Sequence, residues 1–164
     1  MAADLRKQAV LAALRARLAA DLESAIERQL QAHAAAIHEE ARPENDKDTQ
    51  ATEASYVARG LAQRVDDLQM AVGQLATLQL QRFGEGDAIA LSALVATEDQ
   101  HGAAATYFLA PAGGGLKLPI GDDEISVVTP GSPLGRALLG KLVGDEALLR
   151  TGQGGRTLTV IAIA

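Results

Sequence analysis

A chain of 164 residues with a net charge of −6 has room for one domain or two small ones and carries the wrong sign for coating nucleic acid. Apolar residues make up 48%, much of it alanine, and aromatics only 2%, which suits closely packed helices better than a large aromatic core. Cysteine is absent, so disulfide frameworks, thiolate metal sites and cysteine nucleophiles are excluded.

The amino terminus, MAADLRKQ, enters a charged amphipathic pattern with no apolar signal-peptide core. No stretch approaches the roughly 18 apolar residues that a membrane span requires. A cytoplasmic location with no membrane association is therefore expected. Residues 4–41 show an apolar stripe of Leu11, Leu14, Leu18, Leu22, Ile26, Leu30 and Ile37. A second seam takes in Ala54, Ala58, Leu61, Val65, Leu68, Val72 and Leu75, with the 4-3 alternation of a coiled coil. Neither stretch contains a proline, and Ala, Leu, Gln, Arg and Glu favour helix in both. Between them Pro43 disfavours helix at Arg42, and Asn45, Asp46 and Asp48 are turn and N-cap residues. The short connection predicts an antiparallel hairpin over residues 1–83. Alanines near the turn (Ala34, Ala35, Ala36, Ala51, Ala54 and Ala58) predict a close helix approach there.

Acids gather at that turn: Glu39, Glu40, Glu44, Asp46, Asp48 and Glu53, opposed only by Arg42 and Lys47. Such a set is either an ordinary polar turn with acids at a helix N-terminus or a group of carboxylates offered to a hard cation such as Mg²⁺. No dedicated metal cage is visible, so the chain is expected to hold no cofactor of its own.

Gly84-Glu85-Gly86-Asp87 ends the helical pattern and marks the expected boundary of a second domain, residues 84–164. Short β-like runs follow at Ala88–Ala96, Ala105–Ala110, Ile125–Thr129 and Thr157–Ile163, separated by glycine-rich turns. In the last run Leu158, Val160 and Ala162 alternate with Thr157, Thr159 and Ile161. Ser132 is placed as the N-cap of a short helix with Pro133 in its first turn, and Gly140 is placed to end it in a left-handed conformation. The whole reads as an α+β fold: a helical hairpin, then a small antiparallel β domain with one short helix. None of the glycine stretches has phosphate-loop spacing, and His33, His38 and His101 have no metal-ligand spacing. Residues 1–83 carry ten basic against twelve acidic residues and residues 84–164 five against nine. Any approach to nucleic acid is thus expected to run through another protein.

Ser132-Pro-Leu-Gly-Arg-Ala-Leu-Leu-Gly-Lys141, followed by Val143-Gly144-Asp145-Glu146, resembles the C-terminal domain of the Gre family of bacterial transcription elongation factors. Ala54-Ser55-Tyr56-Val57-Ala58-Arg59 is similar to the stretch after that family's coiled-coil tip. The resemblance implies an antiparallel coiled coil joined to a domain of FKBP-like fold. It implies a monomer that docks on RNA polymerase through the C-terminal domain, with Ser132, Pro133, Leu134, Gly135, Arg136, Gly144 and Asp145 in the docking region. The hairpin would then enter the secondary channel, close to the RNA, where tip acids help hold the polymerase's catalytic Mg²⁺. Such a factor is an accessory to the polymerase and not itself an enzyme. Family tips carry an Asp and a Glu three residues apart. Aligned on Tyr56, those positions are Thr49 and Thr52 here, which leaves Asp46 and Asp48, with Glu44 and Glu53, as the nearest acids for cleavage and metal contact. Two other readings stay open: a regulator that occupies the channel without cleavage, and an FKBP-like interaction module or prolyl isomerase with a coiled-coil dimerisation arm. Against isomerase activity, the C-terminal half offers only Tyr107 and Phe108, adjacent and so facing opposite ways in a strand.

Overall fold

The computed structural model describes residues 2–40, 47–151 and 154–164, with side chains for residues 3–38, 52–150 and 154–164. Two long helices come first, α1 (Ala2–Glu40) and α2 (Lys47–Ala76). A sheet-forming region follows: β1 (Leu94–Asp99), β2 (Ala104–Leu109), β3 (Lys117–Ile120), β4 (Asp123–Val128), α3 (Pro133–Leu138), β5 (Glu146–Thr151) and β6 (Gly154–Ile163). The α+β class expected from the sequence is what is found. Contacts divide the chain into two compact units, one of residues 16–73 and one of residues 1–15 with 74–164. The sequence draws its line at residues 83/84, where the helical pattern stops. The contacts instead join the first turns of α1 and the end of α2 to the sheet.

In the helical unit the seam is buried at Leu18, Ala25, Val65 and Leu68 and then fades, leaving Leu30 and Ile37 more than half exposed. Close approach at the alanines is not what the structure shows. An open cleft of about 590 Å³ lies between the helices, lined by Gln29, Leu30, Ala32, His33, Ala35, Ala36, Ala54, Val57 and Ala58. Methyl side chains are too short to fill the space that the larger seam residues hold open.

In the other unit, α2 ends at residues that would leave carbonyls without partners. The Arg15 guanidinium supplies them, with its Nε and Nη2 donating to Leu75 O at 3.0 and 2.7 Å and Nη2 to Ala76 O at 3.3 Å. Arg6 pairs with Asp123 at 2.6 Å, tying the first turns of α1 to the start of β4.

Six strands make one sheet in the order β3-β4-β2-β1-β6-β5. The sequence predicts an antiparallel sheet, but β2 and β4 run parallel, with Tyr107 opposite Ser126 and Phe108 opposite Val127. The cause is the tight β3–β4 hairpin at Gly121-Asp122: β3 takes the edge and β4 returns beside β2 in the same direction. The run predicted at Ala88–Ala96 is a strand only from Leu94. Ser92 takes a left-handed φ of 69°, its N–H donates to Leu109 O at 2.8 Å, and its Oγ accepts from Gln81 N at 2.8 Å. One face of the sheet forms a core from Val95, Tyr107, Leu109, Val128, Ala147, Leu158 and Val160, closed by Leu138 of α3. The other face buries Leu94, Phe108, Leu118, Ile125 and Val127, and Lys7, Val10, Leu11 and Leu14 of α1 are buried in the same unit.

Candidate partner-docking site

Ser132 caps α3 as expected. It is extended (φ −72°, ψ 156°), its Oγ accepts from Gly135 N at 3.0 Å, and its own hydroxyl donates to Thr129 O at 2.8 Å. Pro133 sits at the start of the helix, where a missing N–H costs nothing. Gly135 is required by contact: a Cβ there would lie 1.9 Å from Thr129 O. Leu138 is fully buried, which fixes the inward face of the helix. Pro133 and Arg136 are exposed, and Leu134 is half-buried against the core. The Arg136 side chain donates back to Gly131 O, folding the guanidinium over the turn before the helix. Gly140 has φ 77° and donates to Ile89 O at 2.9 Å, so the helix ends where the sequence places its end.

Gly144 and Asp145 form a second turn, anchored to β6. Gly144 (φ 91°) donates to Val160 O at 2.8 Å, and Val160 N donates to Asp145 O at 2.9 Å. The Asp145 carboxylate accepts from Leu142 N at 2.9 Å and closes the turn. Leu142 and Val143 consequently point their side chains outward, 40% and 58% exposed. The seven residues implicated by sequence thus fall into two places, the start of α3 and the turn before β5, both in the sheet-bearing unit. They include no pair of titratable groups arranged for proton transfer.

The acids of the helical hairpin are a separate matter. Glu44 and Asp46 lie outside the described residues, and Asp48 stands in the first turn of α2 with its side chain outside the description. Glu53 is exposed on α2. Among the described residues, no three His, Cys, Asp or Glu side chains are grouped to hold a metal.

Sequence reasoning missed Lys7. Its Nζ donates to Gln81 O and lies 4.6 Å from the Phe83 ring centroid, with the residue 1% exposed. Burial pushes the amine below the usual lysine range, and the nearby Asp4 carboxylate partly opposes the change. The signal was present: Lys7, Leu11 and Leu14 share helical spacing, so a charge occupies the buried stripe.

Residues 120–164 match the family described as "Transcription elongation factor, GreA/GreB, C-term". No curated protein matches the chain. Among solved structures, the chain is similar to the transcription factor Gfh1, with 27% identity over 92% of this chain and 93% of that one and a TM-score of 0.40. It is also similar to GreA factor homolog 1 of Thermus thermophilus, with 27% identity over 92% and 94% of the two chains and a TM-score of 0.38. For Gfh1 of Thermus aquaticus the values are 25% identity, 90% and 91% coverage, and a TM-score of 0.39. Over residues 120–164 the chain is thus similar to the C-terminal part of the GreA/GreB transcription elongation factors.

Proposed function

We propose that this chain binds RNA polymerase as a monomer through its sheet-bearing unit and acts through the secondary channel, into which the α1–α2 hairpin is inserted. The observation that carries this reading is the match over residues 120–164, within which the capped start of α3 and the Gly144–Asp145 turn present Pro133, Arg136, Leu142 and Val143 on the surface. The factor is an accessory: bond cleavage in backtracked RNA belongs to the polymerase active site. Carboxylates of the turn, Asp46 and Asp48 with Glu44 and Glu53 beside them, are oxygen donors of the type that Mg²⁺ accepts one or two at a time. Their part is to supply negative charge to a metal that the polymerase already holds and to orient a water there.

Polymerase pull-down and cleavage of stalled transcripts test the two halves separately. Asp46→Ala with Asp48→Ala is expected to abolish stimulated cleavage while polymerase retention stays within about twofold. A wild-type chain that never binds polymerase overturns the proposal. A wild-type chain that binds without stimulating cleavage leaves the second reading, a regulator that occupies the channel. Thr49 and Thr52 favour that second reading, since they stand where family tips carry their acids. The isomerase reading is disfavoured: Tyr107 and Phe108 are buried on opposite faces of the sheet, so the two do not line one pocket together.

A further inference from the structure

Residues 78–82, which lead away from α2, form neither helix nor strand, and none of them is buried. Apolar anchors flank them: Leu75 is fully buried, and Phe83 packs against the sheet core. Leu78 N donates to Leu75 O at 3.3 Å. Beyond that bond, among the described residues, side chains hold the backbone of this segment. Arg15 Nη2, already bonded to Leu75 O and Ala76 O, reaches Leu78 O at 3.5 Å. The Gln81 peptide is gripped from both sides: Lys7 Nζ donates to its carbonyl, and its N–H donates to Ser92 Oγ at 2.8 Å.

Two features make this grip weak. Closing it strips water from an ammonium group, since Lys7 is 1% exposed, and it immobilises two long, rotamer-rich side chains. The Asp4 carboxylate, which also pairs with Arg82 at 3.3 Å, returns only part of the first cost. Backbone with little apolar burial and side-chain partners belongs to the low end of local stability. We propose that residues 78–82 are a strap that opens and closes as one unit while the sheet stays folded, with Lys7 and Arg15 as the two cations that hold it shut. Closed, the strap ties the first turns of α1 to Ser92 through the Gln81 peptide. Open, those turns keep the Arg6–Asp123 ion pair and the burial of Val10, Leu11 and Leu14. A partner that prefers one state shifts the strap toward it. This device belongs to the chain alone and stands whether or not the polymerase reading holds.

Amide hydrogen exchange of the full chain, read residue by residue in urea below the unfolding transition, tests this directly. The Leu78 and Gln81 amides are expected to share one opening equilibrium that barely responds to urea. Leu109 N, bonded to Ala93 O within the sheet-bearing unit at 3.0 Å, is expected to follow global unfolding with its full urea slope. Lys7→Met and Arg15→Met remove the cations and keep long side chains. Each is expected to speed exchange at both strap amides at least about tenfold, with a smaller change at Leu109. A joint response is diagnostic, because Lys7 touches Gln81 only at its carbonyl and Arg15 holds the other end of the strap. Wild-type Leu78 and Gln81 amides that carry the full urea slope overturn the proposal, whether or not the variants fold. Amides with no protection at all, a strap never shut, overturn it too. So does a split response, with Lys7→Met acting at Gln81 alone and Arg15→Met at Leu78 alone.

Discussion

Gly135 sets helix propensity against contact, and contact wins. Alanine is about 1 kcal/mol better than glycine within a helix, so propensity alone predicts that Gly135→Ala stabilises. The added Cβ would overlap Thr129 O at 1.9 Å, and Thr129 is held by hydrogen bonds from Ser132 N and Ser132 Oγ. Gly135→Ala is therefore expected to destabilise by more than about 3 kcal/mol, read as a lower urea midpoint with unchanged slope. Asp99 works through charge. Its carboxylate accepts from Ala103 N and His101 N, each at 2.9 Å, and from Arg156 at 3.1 Å, and these bonds hold its pKa below the usual carboxylate range. With the folded value below the unfolded one, the stabilisation is full above the ordinary Asp range and disappears as pH falls through the folded value. Asp99→Asn is expected to lower the urea midpoint at pH 7, and the gap to wild type is expected to close in strong acid. Lys7 has the opposite sense: its lowered value makes the buried ammonium a cost at neutral pH that is relieved as pH rises toward 10.5. The Thr129–Gly135 contact was not legible in the sequence, because it depends on how the turn before α3 folds back, whereas Lys7 left a signal in its helical spacing with Leu11 and Leu14.

Among the elements, the helices and α3 were legible because their determinants are local: unbroken stripes, a serine cap, a proline in the first turn and a glycine stop. Ser132→Ala removes both the acceptor for Gly135 N and the donor to Thr129 O, and it is expected to cost about 1 kcal/mol in equilibrium unfolding. Strands β3 and β5 were not foreseen, for opposite reasons. Pro119 argues against a strand, yet β3 is an edge of the sheet, where a missing N–H is tolerated. Glu146-Ala-Leu-Leu-Arg reads as helix by propensity, and pairing along β6 overrides it. Strand β6 itself was found but its faces were only half right. Leu158 and Val160 are buried, whereas Ala162, expected on the same face, is exposed. Against β1, Ala96 pairs with Ala162 and Thr97 with Val160, so Ile161 is an inserted residue. A bulge reverses the alternation beyond it, which is why Ile163 packs on the core.

At the scale of the whole chain, the order of two long helices followed by a sheet-forming region was legible, because periodicity and glycine-rich turns are local signals. Residues 84–164 carry five basic against nine acidic residues, and within them residues 120–164 match the GreA/GreB C-terminal family. That matched segment holds β4, α3, β5 and β6, yet β4 and β6 are not neighbours in the sheet. Strands β2 and β1, from the preceding residues, lie between them.

This strand order has a consequence on the ribosome. Strand β6 is synthesised after the other five but belongs between β1 and β5, and Leu94 and Ala164 exchange both backbone hydrogen bonds at 2.9 Å. Until it emerges, β1 presents a bare edge and β5 has no partner, so a nascent chain stalled near residue 153 displays an adhesive strand to its neighbours on the polysome.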